Sequence, residues 1–192
     1  MQLKNLTTNF LGRNSIYYKE IDSTQSEIWR LIENKMALNG TLVFADIQTK
    51  GKGTHGRIWH TDEKNNIAFS FYIQMDCNIE KLDGITLEIA NIIVDIFKTQ
   101  YKIDLEIKKP NDIVFNNKKI GGILTETKVI SGNVKHLVVG IGINTEKENF
   151  SEDIKDIATS IKKEFNVDID IKAFIAEFCN RFENEIIKRM EN

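Results

Sequence analysis

The chain has 192 residues, enough for one domain with a sizeable core. Hydrophobic residues make up 41% and charged residues 28%, the balance of a soluble globular chain. A formal charge of −2 excludes a global basic footprint for duplex DNA or RNA, so any anion binding has to be local.

No apolar run is long enough to span a bilayer, and residues 1–10 lack the apolar core of a secretory signal. No membrane or DNA partner is expected. Cys77 and Cys179 lie far apart and form no Cys-x-x-Cys pair. They fit free thiols in a reducing, cytoplasmic compartment better than a disulfide or a cysteine zinc site.

No linker, repeat or low-complexity segment divides the chain. The first predicted strand is Ile16–Ile21. Asp22, Ser23 and Thr24 then offer capping oxygens for a helix reaching about Met36, with Ile28, Leu31 and Ile32 on its buried face. A strand over Thr41–Ile47 leads into a glycine-rich stretch. Alternation and aromatic content predict a further strand over Ile67–Gln74. An apolar helix is expected over Asp83–Lys98, with Leu87, Ala90, Val94 and Phe97 on one face and Ile93 beside them. Four short strands follow: Leu105–Lys108, Ile113–Phe115, Lys119–Lys128 and Lys135–Ile143. Asn116-Asn117 turns the second into the third, and Ser131-Gly132-Asn133 the third into the fourth. The tail, Ile171–Met190, is an amphipathic helix with Phe174, Phe178 and Phe182 at i, i+4 and i+8. Consecutive hairpins argue for an α+β fold, a mixed, largely antiparallel sheet with helices on one face. The regular strand–helix alternation of a doubly wound dinucleotide fold is missing.

Three clusters carry chemistry. In Gln48–Trp59, Gly51, Gly53 and Gly56 alternate with Lys50, Lys52 and Arg57, and no acid occurs from Gln48 to Thr61. Backbone amides in such a loop can approach a phosphate closely. The spacing is not that of a P-loop. It matches G-x-G-x-x-G literally, but Arg57-Ile58-Trp59-His60, a polar turn and a strand follow, where a dinucleotide-binding helix would have to start. A solvated hairpin loop fits the same residues. The second cluster, Lys108-Lys109-Pro110-Asn111-Asp112, holds the single proline, which interrupts the strand. Adjacent lysines on extended chain point to opposite faces, so at most one can enter a site on the sheet. In the third, Gly140-Ile141-Gly142-Ile143-Asn144, glycines at alternate positions leave one face bare, for a flat ligand or for close packing. Gly121-Gly122 admits the same two readings. His55 and His60 are not spaced as metal ligands on a helix, and they read as solvated or phosphate-facing. His136 reads as structural, and Ser70 lacks the context of a nucleophile.

Taken in order, these clusters resemble those of biotin protein ligases. Ile21-Asp22-Ser23-Thr24-Gln25 resembles I-D-S-T-N, and Gln48–Trp59 resembles Q-T-x-G-R-G-R-x-G-R-x-W. Lys108-Lys109-Pro110-Asn111-Asp112-Ile113 with Lys119–Glu126 resembles K-W-P-N-D-I and K-[IL]-x-G-I-L-x-E. Gly140–Asn144 resembles G-[IV]-G-[IL]-N, and Ala158-Thr159-Ser160-Ile161 resembles A-T-S-L. The resemblance implies the biotin/lipoate ligase fold, akin to class II aminoacyl-tRNA synthetases. It implies ATP, Mg²⁺ and biotin as reactants, with a biotin carboxyl carrier domain as acceptor. The carboxylate of biotin attacks the α-phosphorus of ATP, and a carrier lysine then attacks the biotinyl-adenylate.

Residue by residue, the resemblance places Ser23, Thr24, Gln25 and Gln48 at the biotin head. It places Lys52, Gly51, Gly53 and Thr54 around carboxylate and α-phosphate. His55, Arg57 and Trp59 face the nucleotide with Asn111 and Asn144. Gly140 and Gly142 floor the biotin pocket, and Lys108 is the catalytic cation together with Lys52. Metal ligands from the protein are not implied, Mg²⁺ riding on the phosphates. Lys52 and Thr54 stand where the family has arginines, and Lys109 where it has tryptophan. The motifs start by residue 21 and the chain ends with the last catalytic helix. A single catalytic domain over 1–192 is therefore expected, without an N-terminal winged helix or a C-terminal β-barrel. A homodimer is compatible with this. The alternatives are a lipoate–protein ligase of the same fold and a non-catalytic biotin-binding module.

Overall fold

In the computed structural model, residues 3–61 and 66–191 are described. The polar turn expected after His60 falls on 62–65, outside them. β1 (Ser15–Ile21) is joined to β2 (Leu42–Gln48) through α1 (Thr24–Glu33), and the two strands pair in parallel. β3 (Ile67–Cys77) runs antiparallel to β2. It is followed by α2 (Ile85–Ile96), which a wider turn extends over Phe97–Tyr101. The meander β4 (Glu106–Lys108), β5 (Asp112–Phe115), β6 (Lys118–Ile130) and β7 (Asn133–Ile143) is antiparallel throughout. It closes onto β3 through β7, giving one sheet in the order β1-β2-β3-β7-β6-β5-β4. This is the expected mixed, largely antiparallel sheet. α3 (Ile161–Phe165) and α4 (Ile171–Glu191) complete the chain.

The hairpin turns follow from local chemistry. Asn116 and Asn117 have φ of 48° and 64°, and Ser131 and Gly132 have 52° and 85°. Two successive positive φ values match the right-handed twist of the flanking strands, and Asn, Ser and Gly tolerate them best. α1 ends at Glu33, short of Met36, because Lys35 turns left-handed at φ 57°. The amides of Met36 and Ala37 then fold back onto the carbonyl of Leu31 at 2.8 and 3.1 Å.

Strand alternation divides the core. Leu42, Phe44, Phe69, Phe71, Leu137, Val139 and Ile141 face α2 and α4. There Phe178 meets Phe69 and Phe182 meets Phe71, with ring centroids 5.5 and 5.2 Å apart. Val43, Tyr72 and Val138 point the other way and meet Ile28 and Leu31 of α1. The expectation of helices on one face thus holds for α2 and α4, while α1 packs on the opposite face. The buried face of α2 keeps the expected Ala90, Ile93 and Phe97 but is rotated away from Leu87 and Val94. Ile85, Ile89, Ile92, Ile93 and Ile96 with Ala90 carry it, and Leu87 and Val94 are half-buried at its margins. A helix this rich in apolar residues has no single readable stripe, so packing rather than sequence sets its rotation.

On the α1 face, beyond Tyr72 and Val138, the side chains of the sheet become small apart from Leu124. Ser70, Gly140 and Leu124 lie in register across β3, β7 and β6, with Ala68, Gly142 and Gly122 in the next row. This floor of small residues is bounded by the N-terminus of α1 and the loop after β2.

Candidate active site

Ser23 caps α1, its hydroxyl accepting from the amide of Ser26. The cap is braced from behind. Arg30 donates two hydrogen bonds to Asp22, at 2.7 and 2.8 Å, and the amide of Ser23 donates to the same carboxylate. The Arg30 guanidinium holds the Asp22 carboxyl at about 2, below its ordinary 3.8. Since the folded value lies below the unfolded one, the ionised pair stabilises the fold above pH about 4, and that contribution is lost as pH falls toward 2. Asp22→Asn is therefore expected to lower the melting temperature at pH 6, by a margin that closes between pH 4 and 2. Melts giving the same difference across that range would remove the charge from the argument.

Behind the cap, the buried Thr24, Ser70 and Thr61 and the half-buried Gln48 form a polar chain. The amide and hydroxyl of Thr24 donate to Gln48 Oε1 at 2.8 and 3.1 Å. Thr24 Oγ1 also lies 2.9 Å from Ser70 Oγ, and Gln48 Nε2 donates to Thr61 Oγ1 at 3.2 Å. Gln25 Nε2 donates to Glu126 at 2.9 Å, and its Oε1 rests against Gly140.

The glycine-rich stretch folds back as an irregular hairpin. Lys52 bridges to Ile58 and Gln48 to Thr61, and a single turn at Thr54–Gly56 forms the tip. Left-handed angles occur at His55 (φ 56°) and Gly56 (φ 73°), while Gly51 and Gly53 do not need them. Gly51 serves close approach instead: a Cβ there would lie 2.2 Å from the carbonyl oxygen of Trp59. Thr54, standing where an arginine was expected, accepts a hydrogen bond from Arg57 Nη2 at 2.8 Å. Trp59 then crosses the sheet, its indole so close to Gly142 that a Cβ would meet Cε2 at 2.3 Å. The bare faces of Gly140 and Gly142 are thus covered by Gln25 and Trp59. Of the two readings of the sequence, close packing is the one these contacts show.

Two adjoining cavities result. The first is narrow, about 40 Å³, and is lined by Ser23, Thr24, Gln25, Gln48, Lys52, Gly53, Thr54, Trp59, Asn111, Gly140 and Gly142 from the expected set. The second, about 180 Å³, shares Gly53, Thr54 and Trp59 and adds Arg57 and Asn144. Phe150, Ile154 and Ile157 give the second an apolar wall. Asn144 is buried and donates to the carbonyl of Thr159 at 3.1 Å, tying the end of β7 to this wall.

Three expected residues stay outside both linings. Gly51 is buried under Trp59, and His55 is exposed at the loop tip. Lys108, expected as the catalytic cation, is exposed on the edge strand β4, and Lys109 beside it is exposed too. Lys119 has a place in the sequence motif but no role assigned there. It lines both cavities, with its Nζ 2.6 Å from Asp112 Oδ1 and 5.6 Å from the centre of a Trp59 ring. The contact with Asp112 is electrostatic rather than an aligned hydrogen bond. Ser70 also lines the first cavity without having been given a role there, and so does Gly122, for which a flat ligand was one of the two readings.

A side-chain-poor floor under a cation-bearing loop, with a lysine between two cavities, defines a domain built to hold small anionic molecules. The chain belongs to the biotin/lipoate A/B protein ligase family, whose sequence model matches residues 17–144. The bifunctional ligase/repressor BirA of Bacillus spizizenii is 38% identical over 180 residues, covering 93% of this chain and 55% of that protein. The chain spans about half the length of the curated relatives it matches. Among solved structures, a biotin protein ligase from Aquifex aeolicus in complex with biotin and ATP superposes with a TM-score of 0.76 at 31% identity. That match covers 94% of this chain and 73% of the other. A Leishmania major biotin protein ligase bound to biotinyl-5-AMP shares the fold, with a TM-score of 0.68 at 24% identity.

Proposed function

We propose that this chain is an ATP-dependent biotin–protein ligase domain, forming biotinyl-5′-AMP and passing biotin to a lysine of a biotin carboxyl carrier domain. The observation that carries it is the position of Lys119 at the junction of a polar-headed cavity and an apolar-walled one. A biotin head suits the first, where Thr24, Gln48 and Ser70 supply hydroxyl and amide partners. Adenosine suits the second, with Arg57 and Asn144 toward the phosphates. The biotin carboxylate and the α-phosphate then meet at Lys119. The family membership and the likeness to a structure holding biotin and ATP support the same reading.

In the first step a biotin carboxylate oxygen bonds to the α-phosphorus and the bond to pyrophosphate breaks. Lys119 and Lys52 balance the charge that gathers on carboxylate and phosphate, in a cleft where Trp59 limits water. Mg²⁺ would arrive on the ATP phosphates and neutralise the leaving pyrophosphate. Among the described residues no group of three or more His, Cys, Asp or Glu side chains converges on a metal position, so phosphate oxygens suit it better than a protein cage. In the second step the carrier amine attacks the acyl carbon of the mixed anhydride, AMP leaves, and the amine loses its proton to form the amide.

Lipoate is the competing substrate within this family. The two separate in an ATP–pyrophosphate exchange assay on the full chain. Exchange is expected with biotin and not with lipoate. Exchange with lipoate alone would replace the proposal, and no exchange with either acid would leave a non-catalytic binding module.

A further inference from the structure

Gln25 is 2% exposed, and its Oε1 has no hydrogen-bond partner although it lines the first cavity beside Ser70 and Gly140. A buried acceptor left unpaired is rare and asks for an explanation. Its other end is held. Gln25 Nε2 donates to Glu126 Oε2 at 2.9 Å, and the same oxygen accepts from Trp29 Nε1 at 2.6 Å. A carboxylate can only accept, so the group turned toward Glu126 must be the NH₂ and the group turned toward the cavity must be the oxygen. The indole N–H, a donor only, fixes the carboxylate in turn. Glu126 sits opposite Val138 in the β6–β7 ladder, on the same face as the glycine floor.

We infer that Glu126, braced by Trp29, is a positioning residue that sets the polarity of Gln25, so that the pocket offers an acceptor to a ring N–H of the ligand head. The inference rests on the proposed biotin site and deepens it. A cyclic urea supplies the N–H, whereas a dithiolane ring does not. Neither residue touches the reacting carboxylate, so their effect falls on head recognition and leaves the chemical step alone.

The test is calorimetric binding to the full chain without ATP. The probes are biotin and its two ring-carbamate isomers, in each of which one ureido N–H is replaced by oxygen. Wild type is expected to bind one isomer at least about tenfold more weakly than biotin, the cost of setting an acceptor against an acceptor. In Glu126→Gln the neutral amide lets Gln25 turn over, and that isomer's penalty is expected to shrink to about twofold. Trp29→Phe, which frees one side of Glu126, is expected to give an intermediate penalty and keeps the test open should Glu126→Gln fold poorly. An undiminished penalty in both variants would overturn the inference. So would equal weakening of biotin and carbamate alongside a lower melting temperature, because that is a structural role. Failure of wild type to bind biotin at all would overturn the proposed function, a result distinct from either.

Discussion

Lys119→Ala is expected to slow biotin-dependent ATP–pyrophosphate exchange about 10²–10³-fold, as removal of one charge-stabilising donor does in acyl- and phosphoryl-transfer sites. Lys109→Ala is expected to stay within about twofold of wild type, as exposed side chains do, while Lys108, opposite Asp112 in the β4–β5 ladder, is the rival for the role given to Lys119. The contrast is informative because all three are lysines in or next to the K-K-P-N-D and K-I-G-G segments, and net charge changes identically. Lys119 differs by place. It reaches both cavities, contacts the Asp112 carboxylate and lies over the Trp59 ring. Such a cation is held ready for an anion at little reorganisation cost. Lys119→Arg is expected to recover part of the rate, since the charge is kept but the planar fork cannot reproduce the point donor between Asp112 and Trp59. Quantitative exchange kinetics with all four variants decide the matter. A dead Lys108→Ala beside an active Lys119→Ala would return the role to the edge strand.

Why Lys108 rather than Lys119 stands out in the sequence is a matter of register. The proline-bounded Lys108-Lys109 pair is conspicuous, and strict alternation along β6 would put Lys119 on the same face as Gly121 and Ile123. The pairing of β5 with β6 shifts between Ile113 and Val114. The extra residue lets Ile120 and Ile123 both enter the core while Lys119 and Gly122 both face the site. A bulge of this kind leaves no mark on composition or periodicity. Other parts are legible because their cause is local. Ser23 caps α1 through its own hydroxyl, Asn116-Asn117 and Ser131-Gly132 make their turns through their own backbone preferences, and Gly140 and Gly142 announce a bare floor by spacing alone. What covers that floor was not legible. Gln25 and Trp59 arrive from segments 115 and 83 residues earlier than the glycines they meet, at Gly140 and Gly142 (140 − 25 and 142 − 59). The side of the sheet taken by α1 was hidden for the same reason. Its apolar face is plain in the sequence, but its partners Val43, Tyr72 and Val138 are fixed only once three strands are in register.

Glu183→Ala is expected to destabilise the fold by about 3 kcal/mol, because hydrogen bonds to a buried charged group are lost and their donors are left unpaired. Glu183 lies on the amphipathic helix α4 but is 3% exposed, one position after Phe182. Its carboxylate accepts from the backbone amides of Asn9, Phe10 and Leu11, the last two at 3.0 and 2.8 Å. Those amides belong to a segment that cannot satisfy them itself, since it turns sharply there. The hydroxyl of Thr8 donates to the carbonyl of Leu11, and Gly12 is left-handed at φ 75°. The turn delivers Leu3 and Leu11 to the core beside α4 and brings Gly12 to Gly40, just before β2. Asn180, one turn earlier on α4, adds contacts with Asn5 and Thr7. Glu183 therefore couples the first residues, the last helix and the strand that leads into the cationic loop. Glu183→Gln is expected to cost nearly as much as alanine, because its NH₂ would face backbone N–H donors. By calorimetry the loss for a chain of this size corresponds to a melting temperature roughly 6–12 °C lower. With ATP and biotin at saturation below the transition, exchange is expected to stay near wild type, because the carboxylate lies on the opposite side of the sheet from the site. A melting temperature within about 2 °C of wild type would show that water satisfies the three amides as well as the carboxylate does.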